Sequence, residues 1–135
     1  MLKAVIYEYI LGSATSSPGC HDLEIGADNR IYADAGLRWI DPRTSERGIY
    51  PFAGGSHSIE RGPDGNMWIT NIQVSNWGYG DHISRMNMSG VATVFQVPNA
   101  LDQVGPQRIT QGPDGNMWFT GYFSSKLGRI TPDGS

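Results

Sequence analysis

Three histidines, His21, His57 and His82, are the side chains here best suited to moving a proton near neutral pH. An imidazole can serve as general acid or base, and it can also ligate a metal. Two of the three share a context. His21 stands five residues before Gly26-Ala27-Asp28-Asn29-Arg30-Ile31-Tyr32, and His57 five residues before Gly62-Pro63-Asp64-Gly65-Asn66-Met67-Trp68. A third copy, Gly112-Pro113-Asp114-Gly115-Asn116-Met117-Trp118, has Gln107 at that place. Recurrence at one place in a repeat raises His57 and His21 above a lone histidine, and proton transfer is the catalytic role they suggest. The structural alternative is that each caps a strand by hydrogen bonding to its neighbour.

Other groups could bind without reacting. Trp77 and Tyr79 sit in the polar, glycine-flanked stretch Gln73–His82, where aromatic rings can stack on a ligand or pack on a rim. Asp81-His82 is a possible acid–base or metal pair in the same loop. Asn71, Gln107 and His82 complete the candidate ligand-binding set with Trp77 and Tyr79. A nucleophile triad has no support, because Ser56 and His57 are strand neighbours that regular alternation sends to opposite faces. Gly54-Gly55 lacks the strand-then-helix context of a phosphate loop.

The elements that must position these groups follow from the repeat. The second and third copies agree in seven letters at a spacing of 50 residues, and the worn first copy precedes the second by 36. Each reads as a hairpin, with Asp-Gly or Asp-Asn supplying the tight turn between runs of alternating apolar residues. Strands are expected at 21–25, 30–34, 37–40 and 48–52, then at 57–60, 66–71, 82–86 and 91–97. The third set falls at 107–111, 116–121 and 126–130. Short strands in sets of four at such periods are the signature of β-propeller blades. No window carries a helical apolar period. The fold expected is therefore all-β, a single domain over 1–135 with about three blades of four antiparallel strands, at about 12–52, 53–97 and 98–135. A lone strand at 3–10 is expected to act as a ring-closing outer strand. Three blades cannot close a ring that typically needs four to eight, so a homodimer closing a six-bladed ring is expected, the alternatives being a piece of a longer propeller or a larger ring.

In up-and-down blades, the Asp-Gly turns gather on one side. The other side collects His21, His57 and Gln107 at the channel mouth, with Asn71 and the 73–82 loop around them. Loops held on a rigid scaffold are where binding residues concentrate.

Composition narrows the partners. A formal charge of −3 with no Lys/Arg cluster gives no footprint for nucleic acid. No stretch reaches transmembrane length, and Glu8 interrupts the apolar start, so a cytoplasmic location without membrane contact is expected. Cys20, the one cysteine, is expected as a small buried thiol.

The run Gly112–Thr120, followed by Lys126-Leu127-Gly128-Arg129-Ile130-Thr131-Pro132-Asp133-Gly134, closely resembles the blades of the virginiamycin B lyase (streptogramin lyase) family. The resemblance implies a seven-bladed propeller and an elimination that opens a cyclic depsipeptide at its ester. It also implies a histidine as general acid or base and a magnesium ion near the channel with glutamates nearby. The family's histidine place falls on His57 and His21. Its glutamate place, directly after Trp-Phe-Thr, falls on Asn71, Gly121 and Ala35, and the position two before the histidine falls on Gly19 and Gly55. None is acidic. The reading favoured is a module binding a small ligand or partner on the channel face; the alternative is a metal-assisted C–O lyase using the channel histidines.

Overall fold

The computed structural model describes residues 8–9, 11, 19–34, 36–50, 56–72, 81–97 and 104–135. Of the expected opening strand only Glu8 and Tyr9 are described, and neither is in a strand; Trp77, Tyr79, Ala35 and Gly55 lie outside the described residues.

Among the described residues, eleven strands form three antiparallel sheets. The first holds β1 (Leu23–Ile25), β2 (Ile31–Ala33), β3 (Arg38–Ile40) and β4 (Arg47–Ile49). The second holds β5 (Ser56–Arg61), β6 (Met67–Asn71), β7 (His82–Met86) and β8 (Ala92–Gln96). The third holds β9 (Pro106–Gln111), β10 (Met117–Gly121) and β11 (Leu127–Ile130). Each sheet is an up-and-down meander in chain order, and the strands follow the sequence pattern to within a residue or two, except that β4 stops at Ile49 against the expected 48–52, of which 51–52 lie outside the described residues. Among the described residues there is no helix, and none long and apolar enough to cross a membrane.

The repeated seven letters have a complete physical account. Gly65 and Gly115 take φ of 75° and 74°, and Asn29 takes 63° at the same place in the first sheet. These are left-handed conformations that Gly and Asn tolerate best, as a three-residue hairpin loop with a bulge requires. Asp64 Oδ1 accepts from the Asn66 backbone N–H at 3.1 Å and the Trp68 indole N–H at 3.1 Å. Asp114 does the same with Asn116 and Trp118 at 3.2 and 2.9 Å. The Trp118 indole and the Asn116 amide hold the Asp114 carboxyl down at about 2. In the first sheet the Tyr32 hydroxyl donates to Asp28 Oδ2 at 2.9 Å. The leading glycine is required because a Cβ on Gly62 or Gly112 would lie 2.4 Å from the indole. The carboxylates are committed to the turn, so the motif organises the fold.

Sheets stack through their faces. One core cluster joins Tyr32 and Leu37 of the first sheet to Ile59, Met67, Ile69 and Met86 of the second. A second joins Trp68 and Ile83 of the second sheet to Ile109, Met117, Phe119 and Ile130 of the third. Burying each such side chain contributes about 1.5–3 kcal/mol. The first strands of the sheets, β1, β5 and β9, lie beside one another, as inner strands of blades do. Cys20 departs from expectation: it is exposed, not buried, because it lies ahead of β1 and outside both core clusters.

Candidate functional site

The stacking of β1 beside β5 brings the starts of these strands together. His21 and His57 meet there as stacked rings, with centroids 5.3 Å apart and planes inclined by 18°. The pairing of β5 with β6 is regular from Ser58 to Arg61 but shifts between Ser56 and Ser58. His57 is the extra residue of that β-bulge. Bulges re-aim a side chain and are frequent next to functional sites. The β9–β10 pairing shifts at the equivalent place, around Gln107 and Arg108. The irregularity therefore recurs in the second and third sheets.

Asp34, at the end of β2, anchors His21. Its side chain is fully buried, and Oδ1 accepts the backbone N–H groups of His21 at 2.9 Å and Asp22 at 3.3 Å. Asp34 Oδ2 faces His21 Nδ1 at 3.3 Å. The Ser56 hydroxyl donates to the Asp34 backbone carbonyl, which ties the second sheet to the same point. The His21 ring itself is half exposed. A carboxylate on one ring nitrogen fixes the orientation of an imidazole.

His57 is less exposed than His21. Burial lowers its pKa below the ordinary 6.5, and the His21 imidazole lowers it further; Asp34 opposes and Arg108 adds a little. The pair thus places a neutral imidazole against one held by a carboxylate.

The next residue of each repeat builds a second layer. Asp22 Oδ2 accepts the Ser58 hydroxyl at 2.6 Å and the Arg108 guanidinium at 3.1 Å. Asp22, Ser58 and Arg108 occupy one repeat position, so this network links all three sheets behind the histidines. Thr70 Oγ1 donates to the Gln107 carbonyl at 2.8 Å and fixes the start of β9.

The other candidates are placed differently. Gln107 is half-buried at the start of β9. Asn71 and His82 are paired across β6 and β7 and are buried. Asn71 Nδ2 donates to the Ile69 carbonyl and Ser84 Oγ, both at 3.3 Å, while its Oδ1 is buried without a partner among the described residues. Asp81 Oδ2 accepts the Gly105 N–H at 2.7 Å and so tethers the entry to β9. Sequence reasoning missed Asp34, Asp22, Ser58 and Arg108. Aligning the three copies carries a signal for Asp34: it stands where the others have Thr70 and Thr120.

A magnesium ion demands near-octahedral oxygen ligation. The mouth presents two stacked imidazoles and a carboxylate already accepting two backbone N–H groups. Among the described residues no three His, Cys, Asp or Glu side chains are grouped to hold a metal. The donors present do not fit a magnesium site.

With this geometry in view, residues 41–135 match the model of the virginiamycin B lyase family. The fold is similar to that of selenomethionine-substituted virginiamycin B lyase from Staphylococcus aureus, with TM-score 0.81 and 26% identity over 97% of this chain and 43% of that one. It is also similar to a catalytically inactive histidine-to-alanine form of the S. aureus enzyme with quinupristin, with TM-score 0.67 and 25% identity over 84% and 38%. A streptogramin B lyase structure shares the fold at TM-score 0.69 and 24% identity, over 84% and 37%. The chain spans less than half the length of each. No curated protein matches it.

Proposed function

Because this chain belongs to the virginiamycin B lyase family, we propose that it is a binding module whose His21–His57 mouth takes a small cyclic peptide ligand. The observation that supports this most is the stacked pair held by the buried Asp34. Two parallel rings give a flat ligand group an aromatic face, and their nitrogens supply a donor and an acceptor of fixed direction. Arg108, largely exposed and ion-paired with Asp22, braces the layer behind them. A single exposed cysteine suits a reducing compartment, and we include a cytoplasmic location in the proposal.

The lowered pKa of His57 favours a second reading, proton transfer on the bound ligand. A neutral His57 would take the proton from the carbon next to the ester-bearing carbon. The C=C bond forms as the C–O bond breaks, and the electron pair leaves on the carboxylate. The Asp34 carboxylate, which opposes the lowering of the His57 pKa, would steady the charge that His57 acquires.

Quinupristin is the probe for both readings. Calorimetric titration should show saturable binding to the chain. The His21→Gln, His57→Gln double variant should bind about tenfold more weakly, as loss of one or two hydrogen bonds predicts. Equal binding by the variant, or no binding by the parent chain, refutes the site. Chromatography of the same mixtures separates the readings: a ring-opened product bearing a new C=C bond supports catalysis, and intact ligand leaves binding alone.

A further inference from the structure

We propose that Ser56 and Ser58 are positioning residues that hold the His57 imidazole against His21. This role rests on the reading of the mouth as a ligand site. The two rings belong to different sheets, so no ladder of backbone hydrogen bonds sets the distance between them. A contact across such a seam is fixed by the side chains that cross it.

β5 opens on Ser56-His57-Ser58, with a hydroxyl on each side of the histidine. Both serines are buried, and both donate into the first sheet. The Ser56 hydroxyl donates to the backbone carbonyl of Asp34, whose carboxylate holds His21. The Ser58 hydroxyl donates to Asp22 Oδ2 at 2.6 Å, and the Ile59 backbone N–H donates to the same oxygen at 3.4 Å. Asp22 follows His21 in the chain, and its own N–H rests on Asp34 Oδ1 at 3.3 Å. One acceptor is thus tied to His21 by hydrogen bonds and the other by a peptide bond.

The bulge explains why His57 needs this restraint. Pairing with β6 shifts between Ser56 and Ser58, so the ladder does not fix the backbone at the residue between them. A buried hydroxyl left without a partner is costly, so each serine keeps its acceptor across the seam. Two such bonds, one residue to either side, replace the missing ladder contact.

The other repeats carry different groups at these places. Cys20 and Pro106 stand where the second repeat has Ser56, and Asp22 and Arg108 stand where it has Ser58. The third sheet has its own register shift beside Gln107, yet Pro106 has no hydroxyl and Arg108 reaches to Asp22 at 3.1 Å. Among the described residues, hydroxyls flank the bulge where a histidine meets a histidine. The seam itself is held by Tyr32, Leu37, Ile59 and Met67. The serines therefore direct the ring more than they hold the sheets together.

Histidine-resolved NMR of the ligand-free chain tests the role. In the parent, His21→Gln should shift the His57 ring signals, because the rings are stacked. In the Ser56→Ala, Ser58→Ala double variant, with circular dichroism unchanged, the same substitution should leave them nearly unmoved. The first sheet offers a second route that spares both serines. Asp22→Asn keeps an oxygen for the Ser58 hydroxyl and should behave as the parent, whereas Asp22→Ala should weaken the response. Quinupristin should bind the double serine variant about tenfold more weakly, as loss of the aligned pair predicts. A His57 response as large in the double variant as in the parent overturns the role, and so does a parent with no response. Equal responses in Asp22→Asn and Asp22→Ala overturn the part assigned to Ser58. If the parent does not bind quinupristin, the reading of the mouth fails, and the ligand-free spectra still decide whether the serines position His57.

Discussion

Replacing Trp68 with alanine should destabilise the chain by about 3–5 kcal/mol, the usual range for removing a buried Trp or Phe. The same change at Trp118 should cost the single chain about 1 kcal/mol, near the centre of the distribution for point substitutions. The two residues share seven identical motif letters and the same indole hydrogen bond to aspartate. Their surroundings differ. Trp68 is fully buried between the second and third sheets and stacks on Phe95 at 5.8 Å. Trp118 faces outward from the third sheet and lines its open groove. Domains of this size are stable by only about 5–15 kcal/mol, so the Trp68 variant should lose a large share of its cooperativity margin. Urea unfolding at one low protein concentration compares them. Equal losses would mean that the sheets are not stacked in the order described.

The second large effect concerns Asp34. Asp34→Ala removes the acceptor of two backbone N–H groups and the partner of the His21 ring. Hydrogen bonds to a charged group contribute about 1.5–3 kcal/mol, so a loss of about 2–3 kcal/mol is expected. The His21 ring is half exposed, and solvent screening reduces the ionic share of that loss. Asp34→Asn keeps an oxygen for the two N–H groups and drops only the charge. It should retain most of the stability while weakening ligand binding at the mouth as Asp34→Ala does. If Asn is as destabilising as Ala, the charge on Asp34 matters more to folding than its contacts with the backbone N–H groups. If neither variant alters binding, Asp34 does not orient the site.

The strands were legible because local chemistry fixes them. Asp-Gly turns, alternating apolar residues and the repeat spacing all agree on the hairpins, and β7 falls at the expected 82–86. What local patterning cannot show is pairing across strands. The bulge at His57 arises from how β5 registers against β6, so regular alternation misjudges where that side chain and Ser56 point. Asn71 looks like a mouth residue by position, yet its strand is buried along its whole length. The His21–His57 pair was legible as a recurrence, since both occupy one repeat position. Its anchor was not, because Asp34 belongs to the most worn copy and replaces a threonine of the others. Cys20 misled because a small thiol is commonly buried, whereas its segment precedes the first strand.

Histidine-resolved NMR titration tests the central claim, that His21 and His57 act as one unit at the mouth. His57 should titrate below 6.5, and His21→Gln should move it upward by removing the neighbouring imidazole. A histidine whose pKa is lowered on folding stabilises the native state above its unfolded value and loses that contribution as pH falls through the folded one. The parent chain should therefore weaken as pH drops below 6.5, and the His21→Gln chain should weaken less over that window. A His57 titration that ignores the loss of His21 would contradict the stacked pair and the site built on it.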